Sequence, residues 1–105
     1  MAEARRLRAE VPAWKLEAQR LRRSWRLRDF AAVMRLVDQI AALAEDEGHH
    51  PDIHITEYRN LEVALWTHAV GGLSENDFIL AAKIDRLAAE LGFPEPGADK
   101  QVDDD

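Results

Sequence analysis

The sequence predicts an α+β domain, in which a four-stranded antiparallel sheet carries helices packed on one face. Apolar and polar residues alternate over residues 14–27 and again over residues 52–68, as expected of strands. Each alternating stretch is followed by a segment whose apolar residues recur every three or four positions, as expected of amphipathic helices. Two hairpins that alternate with two helices form a layered structure with the helices on one side of the sheet.

The length and composition indicate one globular domain. The chain has 105 residues, of which 47% are hydrophobic and 32% are charged. We assign residues 1–92 to the domain and residues 93–105, which end in three aspartates, to a flexible acidic tail. Residues 1–10 are rich in Ala, Arg and Glu and predict a short helix that ends before Pro12.

The first predicted hairpin, residues 14–27, contains an unusual density of arginine. The side expected to face the core is apolar except for one residue: Leu21, Arg23, Trp25 and Leu27. The opposite side is polar and basic: Arg22, Ser24, Arg26 and Arg28. With Arg20, these arginines could contact phosphates, but the net charge of −6 favours a solvated sheet edge or salt bridges across a subunit interface. We therefore expect no nucleic-acid partner.

The first long helix is predicted from Phe30 to about Glu47. Asp29 is suited to its N-cap, and Gly48 to a left-handed residue at its end. Its repeating apolar residues are Phe30, Val33, Met34, Val37, Ile40, Ala41 and Ala44.

The second hairpin and the last helix follow. We predict a short strand over Asp52–Thr56, a turn around residues 57–60 and a longer strand over Leu61–His68. A Gly-Gly step breaks the chain at residues 71–72. Ser74 and Asp77 have the spacing of a capping box at the start of a helix that runs to about residue 91.

Several classes of function are disfavoured by what the sequence lacks. It contains no cysteine, which excludes disulfides, thiolate metal sites and cysteine nucleophiles. It contains no apolar run of the roughly 20 residues that a membrane-spanning helix needs, so we expect no membrane association. The first ten residues resemble neither a secretory signal nor a transit peptide, and we expect a cytoplasmic location.

Three histidines lie at the predicted ends of helices and strands. His49 and His50 follow the first long helix, and His68 ends the last strand. Because strand ends and helix ends meet at one rim of a two-layer domain, these side chains are able to converge there. Imidazole both gives and takes protons near neutral pH, which suits acid/base catalysis. A lone histidine is more often structural, so the histidines by themselves do not decide the function.

The spacing of these residues resembles the pattern of the pterin-4a-carbinolamine dehydratase family. That pattern is an acidic or polar residue, His-His-Pro, an aromatic residue, a second histidine and an aspartate. Here it reads Glu45, His49-His50-Pro51, Tyr58, His68 and Asp77. The resemblance extends over about residues 14–87, and no position of the pattern is missing.

The resemblance implies a function and a set of site residues. His49 and His68 match the family's catalytic acid/base residues, while His50, Thr67 and Asp77 match positions that bind substrate. The implied reaction is the dehydration of a 4a-hydroxytetrahydropterin, with the pterin as substrate, no cofactor and no metal. The family forms dimers and tetramers, and a domain this small gains buried surface by association, so a homodimer or homotetramer is expected.

Alternatives remain open at this point. In one alternative Asp77 is only a helix cap. Asp77→Ala would then lower the free energy of unfolding by about 1 kcal/mol and leave activity unchanged. Glu45 would orient a histidine or be solvated, and Tyr58 and Trp66 would be packing residues.

A metal site would be built from His49, His50, His54 and His68, although adjacent histidines in an extended segment point to opposite sides. Relatives with this fold act as a transcriptional coactivator or resemble Rubisco assembly factors, so a role in binding another protein is the main alternative to catalysis.

Overall fold

The α+β architecture is confirmed. The computed structural model describes residues 7, 9–67 and 71–93. Its elements in chain order are β1 Lys15–Glu17, β2 Arg20–Arg26, α1 Phe30–Glu47, β3 Asp52–Thr56, β4 Asn60–Leu65 and α2 Glu75–Glu90. The helix expected over residues 1–10 falls largely outside the described residues, and the tail beyond residue 93 falls wholly outside them.

The four strands form one antiparallel sheet in the order β1-β2-β4-β3. In the register of the two inner strands, Leu21 is opposite Leu65 and Trp25 is opposite Leu61. All four side chains are buried against the helices. The alternation therefore gives one apolar face, which is covered, and one polar face, which is open.

The alternation predicts that β4 runs to His68, but the strand ends at Leu65. The ladder to β2 stops where Leu65 pairs with Leu21, since β2 begins at Arg20 and the turn before it leads back to β1. Thr67 pairs instead with Gly72 in an isolated bridge.

Helix α1 has the predicted bounds and caps. The Asp29 side chain accepts a hydrogen bond from Ala32 N at 2.8 Å, and Gly48 is left-handed with φ 66°.

The predicted buried face of α1 needs correction in both directions: Ala41, predicted on that face, is exposed, and Ala32, not predicted there, is buried. Phe30 is 51% exposed, whereas Leu36, which was not expected on that face, is fully buried. Leu36 lies one turn before Ile40, on the buried face of α1.

Replacing the cap of α1 tests its contribution. Asp29→Ala is expected to lower the free energy of unfolding by about 1 kcal/mol, because the amide of Ala32 loses its acceptor. Urea denaturation at fixed pH measures the change. Asp38→Ala makes the same chemical change at an exposed position inside α1, where alanine favours the helix. Equal stability of the two variants would contradict the capping role.

The buried arginine on the core side of β2 has a partly exposed carboxylate as its partner. The side chain of Arg23 is 2% exposed, and its guanidinium lies 2.5 Å from Asp85 Oδ1 on α2. The same oxygen accepts the indole N–H of Trp14 at 2.8 Å. The guanidinium also lies 4.3 Å from the ring centre of Trp25, close enough for a cation–π interaction. The charge that interrupts the apolar pattern is therefore neutralised inside the layer between sheet and helix.

The sheet edge expected for the arginines is present for only part of β2, because β1 pairs with residues 20–22 and leaves residues 23–26 beside no strand on that side in the described sheet. The alternative, salt bridges across a subunit interface, stays a prediction. Two arginines on the open face pair with carboxylates of the same sheet. Arg20 lies 3.0 Å from Asp52, and Arg22 lies 3.2 Å from Glu62. The lengths and order of the neighbouring strands decide which residues of β2 lie at the edge, and the sequence of β2 alone does not show them.

Candidate active site

The end of α1 directs His49 towards α2. Gly48 turns the chain in the left-handed conformation, and His49 N then donates to the carbonyl of Ala44 at 3.1 Å. The His49 side chain is only 19% exposed, and its Nε2 lies 2.5 Å from Asp77 Oδ1. Two residues that are 28 positions apart in the chain are thus joined by their side chains.

Asp77 connects three parts of the site. Its side chain is completely buried. Oδ1 contacts His49, while Oδ2 accepts from the hydroxyl of Thr67 at 2.8 Å and from Ser74 N at 2.9 Å. The capping box with Ser74 is present, as predicted. Asp77 is therefore a cap and also a partner of His49 and Thr67, so the two interpretations of this residue are not exclusive.

Thr67 is joined to Gly72 through the backbone. Its backbone N donates to Gly72 O at 2.7 Å, and Gly72 N donates back to Thr67 O at 3.3 Å. Its hydroxyl lies 2.8 Å from that of Ser74. His68, the next residue, lies outside the described residues, so its predicted role stays a prediction. The hydroxyl of Ser74 also belongs to this network, although the sequence indicated only a capping role for it. Its spacing from Asp77 in the capping box was the signal in the sequence.

His50 differs from His49 in environment. Its side chain is 63% exposed, and its Nε2 lies 2.6 Å from Glu45 Oε2. Glu45, at 77% exposure, therefore contacts a histidine at the surface. The adjacent imidazoles diverge, as expected of neighbouring residues in an extended segment.

The two aromatic residues near the motif occupy different places. Tyr58 is 58% exposed in the β3–β4 turn, at the opposite end of β3 from the histidines. It therefore lies away from the contacts around His49. Trp66, next to Thr67, has the guanidinium of Arg20 stacked 4.5 Å from its ring centre. The predicted substrate contacts of His50, Thr67 and Asp77 stay predictions.

Within the described part of the chain, no cluster of three or more His, Cys, Asp or Glu side chains is arranged to hold a metal ion. A search of the same residues finds no helix that combines the length and apolarity needed to cross a membrane.

Comparison with known proteins decides the family. Residues 1–87 match the profile of the family described as pterin 4 alpha carbinolamine dehydratase. The chain belongs to this family. The pterin-4-alpha-carbinolamine dehydratase 2, mitochondrial, of Arabidopsis thaliana is 46% identical over 85 residues, which are 77% of this chain and 46% of that protein. The chain thus spans about half the length of that relative.

A bacterial relative is matched over most of its length. The protein of Gloeobacter violaceus, whose name assigns it provisionally to the same dehydratases, is 42% identical over 95 residues, which are 87% of this chain and 81% of that protein.

Two solved structures share the fold of this family member. A transcriptional coactivator/pterin dehydratase from Brucella melitensis superposes with a TM-score of 0.77 at 27% identity, covering 83% of this chain and 94% of that one. A pterin dehydratase-like protein identified as a RuBisCO assembly factor in the alpha-carboxysome gives a TM-score of 0.58 at 25% identity, covering 71% and 86%.

Proposed function

We propose that this protein dehydrates a 4a-hydroxytetrahydropterin to the quinonoid dihydropterin and water. Family membership and the complete histidine motif support the reaction class. The observation that carries the proposal is the shared carboxylate of Asp77. It contacts His49 directly and also contacts Thr67, the chain neighbour of His68.

The chemistry requires two proton transfers and no redox step. A base removes the proton from N5, the electron pair forms the C4a=N5 double bond, and the C4a–O bond breaks as an acid protonates the leaving hydroxyl. One proton leaves N5 and one reaches the departing oxygen, so the products are the quinonoid dihydropterin and one water. Two imidazoles on opposite sides of these atoms can perform both transfers without a cofactor.

The remaining residues of the motif fit binding and positioning. His50 is exposed and held by Glu45, so it is available to contact the pterin while its orientation is restricted. Thr67 and Asp77, the other two predicted substrate contacts, bond one another, and Asp77 contacts His49, so both can also position the His49 imidazole. We further propose that the protein works as a homodimer or homotetramer.

The first test is the dehydration of freshly generated 4a-hydroxytetrahydropterin, followed by absorbance, with the wild-type protein and His68→Ala. Dehydration also proceeds slowly without enzyme, so only a rate above that background counts. Acceleration by the wild type that is lost in His68→Ala supports the proposal. A folded wild type that leaves the background rate unchanged refutes it.

A role in binding another protein is the second candidate function. The likeness to the RuBisCO assembly factor favours it, although the superposition on the Brucella coactivator/dehydratase is closer. If the assay shows no acceleration, co-purification with the large and small subunits of RuBisCO is the next measurement. A complex that survives gel filtration would support the assembly role.

A further inference from the structure

We infer that Asp77 holds His49 in the tautomer with hydrogen on Nε2, which leaves Nδ1 as the atom that exchanges a proton with the substrate. Asp77 is then a positioning residue. The inference deepens the proposed function and rests on it for the reaction, but the tautomer itself is a property of the free protein.

The direction of the hydrogen bonds supports the assignment. An ionised carboxylate only accepts hydrogen bonds. Ser74 N and the Thr67 hydroxyl both donate to Oδ2, which marks Asp77 as the acceptor of the network. Because the hydroxyl hydrogen of Thr67 is used in this bond, the contact with the Ser74 hydroxyl must run from Ser74 to Thr67. If the carboxylate is ionised, Oδ1 also accepts, and the donor in its contact with His49 is then Nε2.

The position of Asp77 in α2 also favours its role as the hydrogen-bond acceptor. It lies in the first turn of α2, where the helix dipole favours a negative charge. The bond that one imidazole nitrogen makes decides which nitrogen carries the hydrogen. Asp77, fixed by the cap and by Thr67, therefore selects the Nε2–H form of His49.

Burial separates the two roles. Asp77 has no exposed side-chain surface, whereas the His49 ring keeps 19%. The two ring nitrogens lie on opposite edges of the imidazole, and among the described residues none is hydrogen-bonded to Nδ1 of His49. Neutral His49 can then accept a proton at Nδ1, and once protonated it can return that proton from the same atom. The Nε2–H group stays hydrogen-bonded to Asp77 throughout.

Imidazole ¹⁵N spectra of the free protein test the tautomer directly. We expect the wild type to show His49 with hydrogen on Nε2 and with Nδ1 unprotonated. Asp77→Asn places an amide N–H₂ in the network, and its best arrangement donates to Nε2, so the hydrogen is expected on Nδ1 instead. His50, which pairs with Glu45, should be unchanged. An Nδ1–H tautomer in the wild type, or no change in Asp77→Asn, overturns the inference.

Kinetics supply the second readout. Asp77→Asn is expected to lower kcat by roughly 10²- to 10⁴-fold with little change in KM, as for other carboxylates that orient a catalytic histidine. Glu75→Gln is the matched control, because it removes an exposed negative charge from the same first turn of α2. Unchanged kcat in a folded Asp77→Asn, or an equal loss in Glu75→Gln, contradicts the positioning role.

Thr67 variants keep the inference testable if Asp77→Asn does not fold. Thr67→Val removes the donor to Asp77 Oδ2 at similar volume, whereas Thr67→Ser keeps it. We expect kcat to fall in the valine variant and to recover in the serine variant, and the opposite order would overturn the inference. A wild type with the Nε2–H tautomer but no dehydration above background would support the Asp77 contact and refute only the proposed reaction.

Discussion

Replacing His49 with alanine is expected to lower kcat for dehydration by about two orders of magnitude or more, because the reaction loses one of its two proton-transfer groups. The fold should survive, since the His49 side chain packs at the rim rather than in the core and its backbone bond to Ala44 is retained. Stopped-flow absorbance measures the rate, and circular dichroism measures the thermal midpoint.

His54→Ala is the control for this prediction. His54 lies on β3 with an exposed side chain, outside the contacts around Asp77. We expect its kcat to match the wild type. If His49→Ala retains wild-type kcat, or if His54→Ala loses as much activity, His49 is not the proton-transfer group.

The largest loss of stability is expected for Asp85→Ala. This change removes the carboxylate that Arg23 and Trp14 share beneath the sheet. Because the buried Arg23 guanidinium loses its carboxylate partner, the free energy of unfolding is expected to fall by up to about 3–5 kcal/mol, the loss typical of breaking a buried ion pair. Urea denaturation should show this loss as a lower midpoint with a similar slope.

Asp52→Ala provides a comparison in the same sheet. It breaks the pair with Arg20, whose side chains are 30% and 52% exposed, and is expected to lower stability by no more than about 1 kcal/mol. Removing both charges of the pair, as in Arg23→Met with Asp85→Leu, should recover much of the stability lost in Asp85→Ala. Similar losses in Asp85→Ala and Asp52→Ala would show that burial does not strengthen the Arg23 pair.

The local elements were predictable because neighbouring residues in the chain determine them. The bounds of α1 followed from the cap at Asp29 and the glycine at position 48. The strand Asp52–Thr56 and the capping box of α2 have the same kind of origin. Propensity, periodicity and capping act over a few residues, and the sequence states them directly.

Strand order was not predictable in this way. The alternation identified the core side of β2, but it did not show that β2 is an inner strand or that β4 stops at Leu65. The ladder ends where the partner strand begins to turn, and that depends on how the two hairpins are joined.

The candidate site, like the fold, was predictable only in part. The histidine motif and its resemblance to the family identified His49, His50, His68 and Asp77 from the sequence, and Ser74 with Asp77 identified the cap. Only the tertiary structure decided that Asp77 contacts His49, across 28 positions, and that Asp85 neutralises Arg23, across 62. Periodicity tells which side chains face inward. Which buried polar groups meet there depends on how α2 packs against α1 and the sheet.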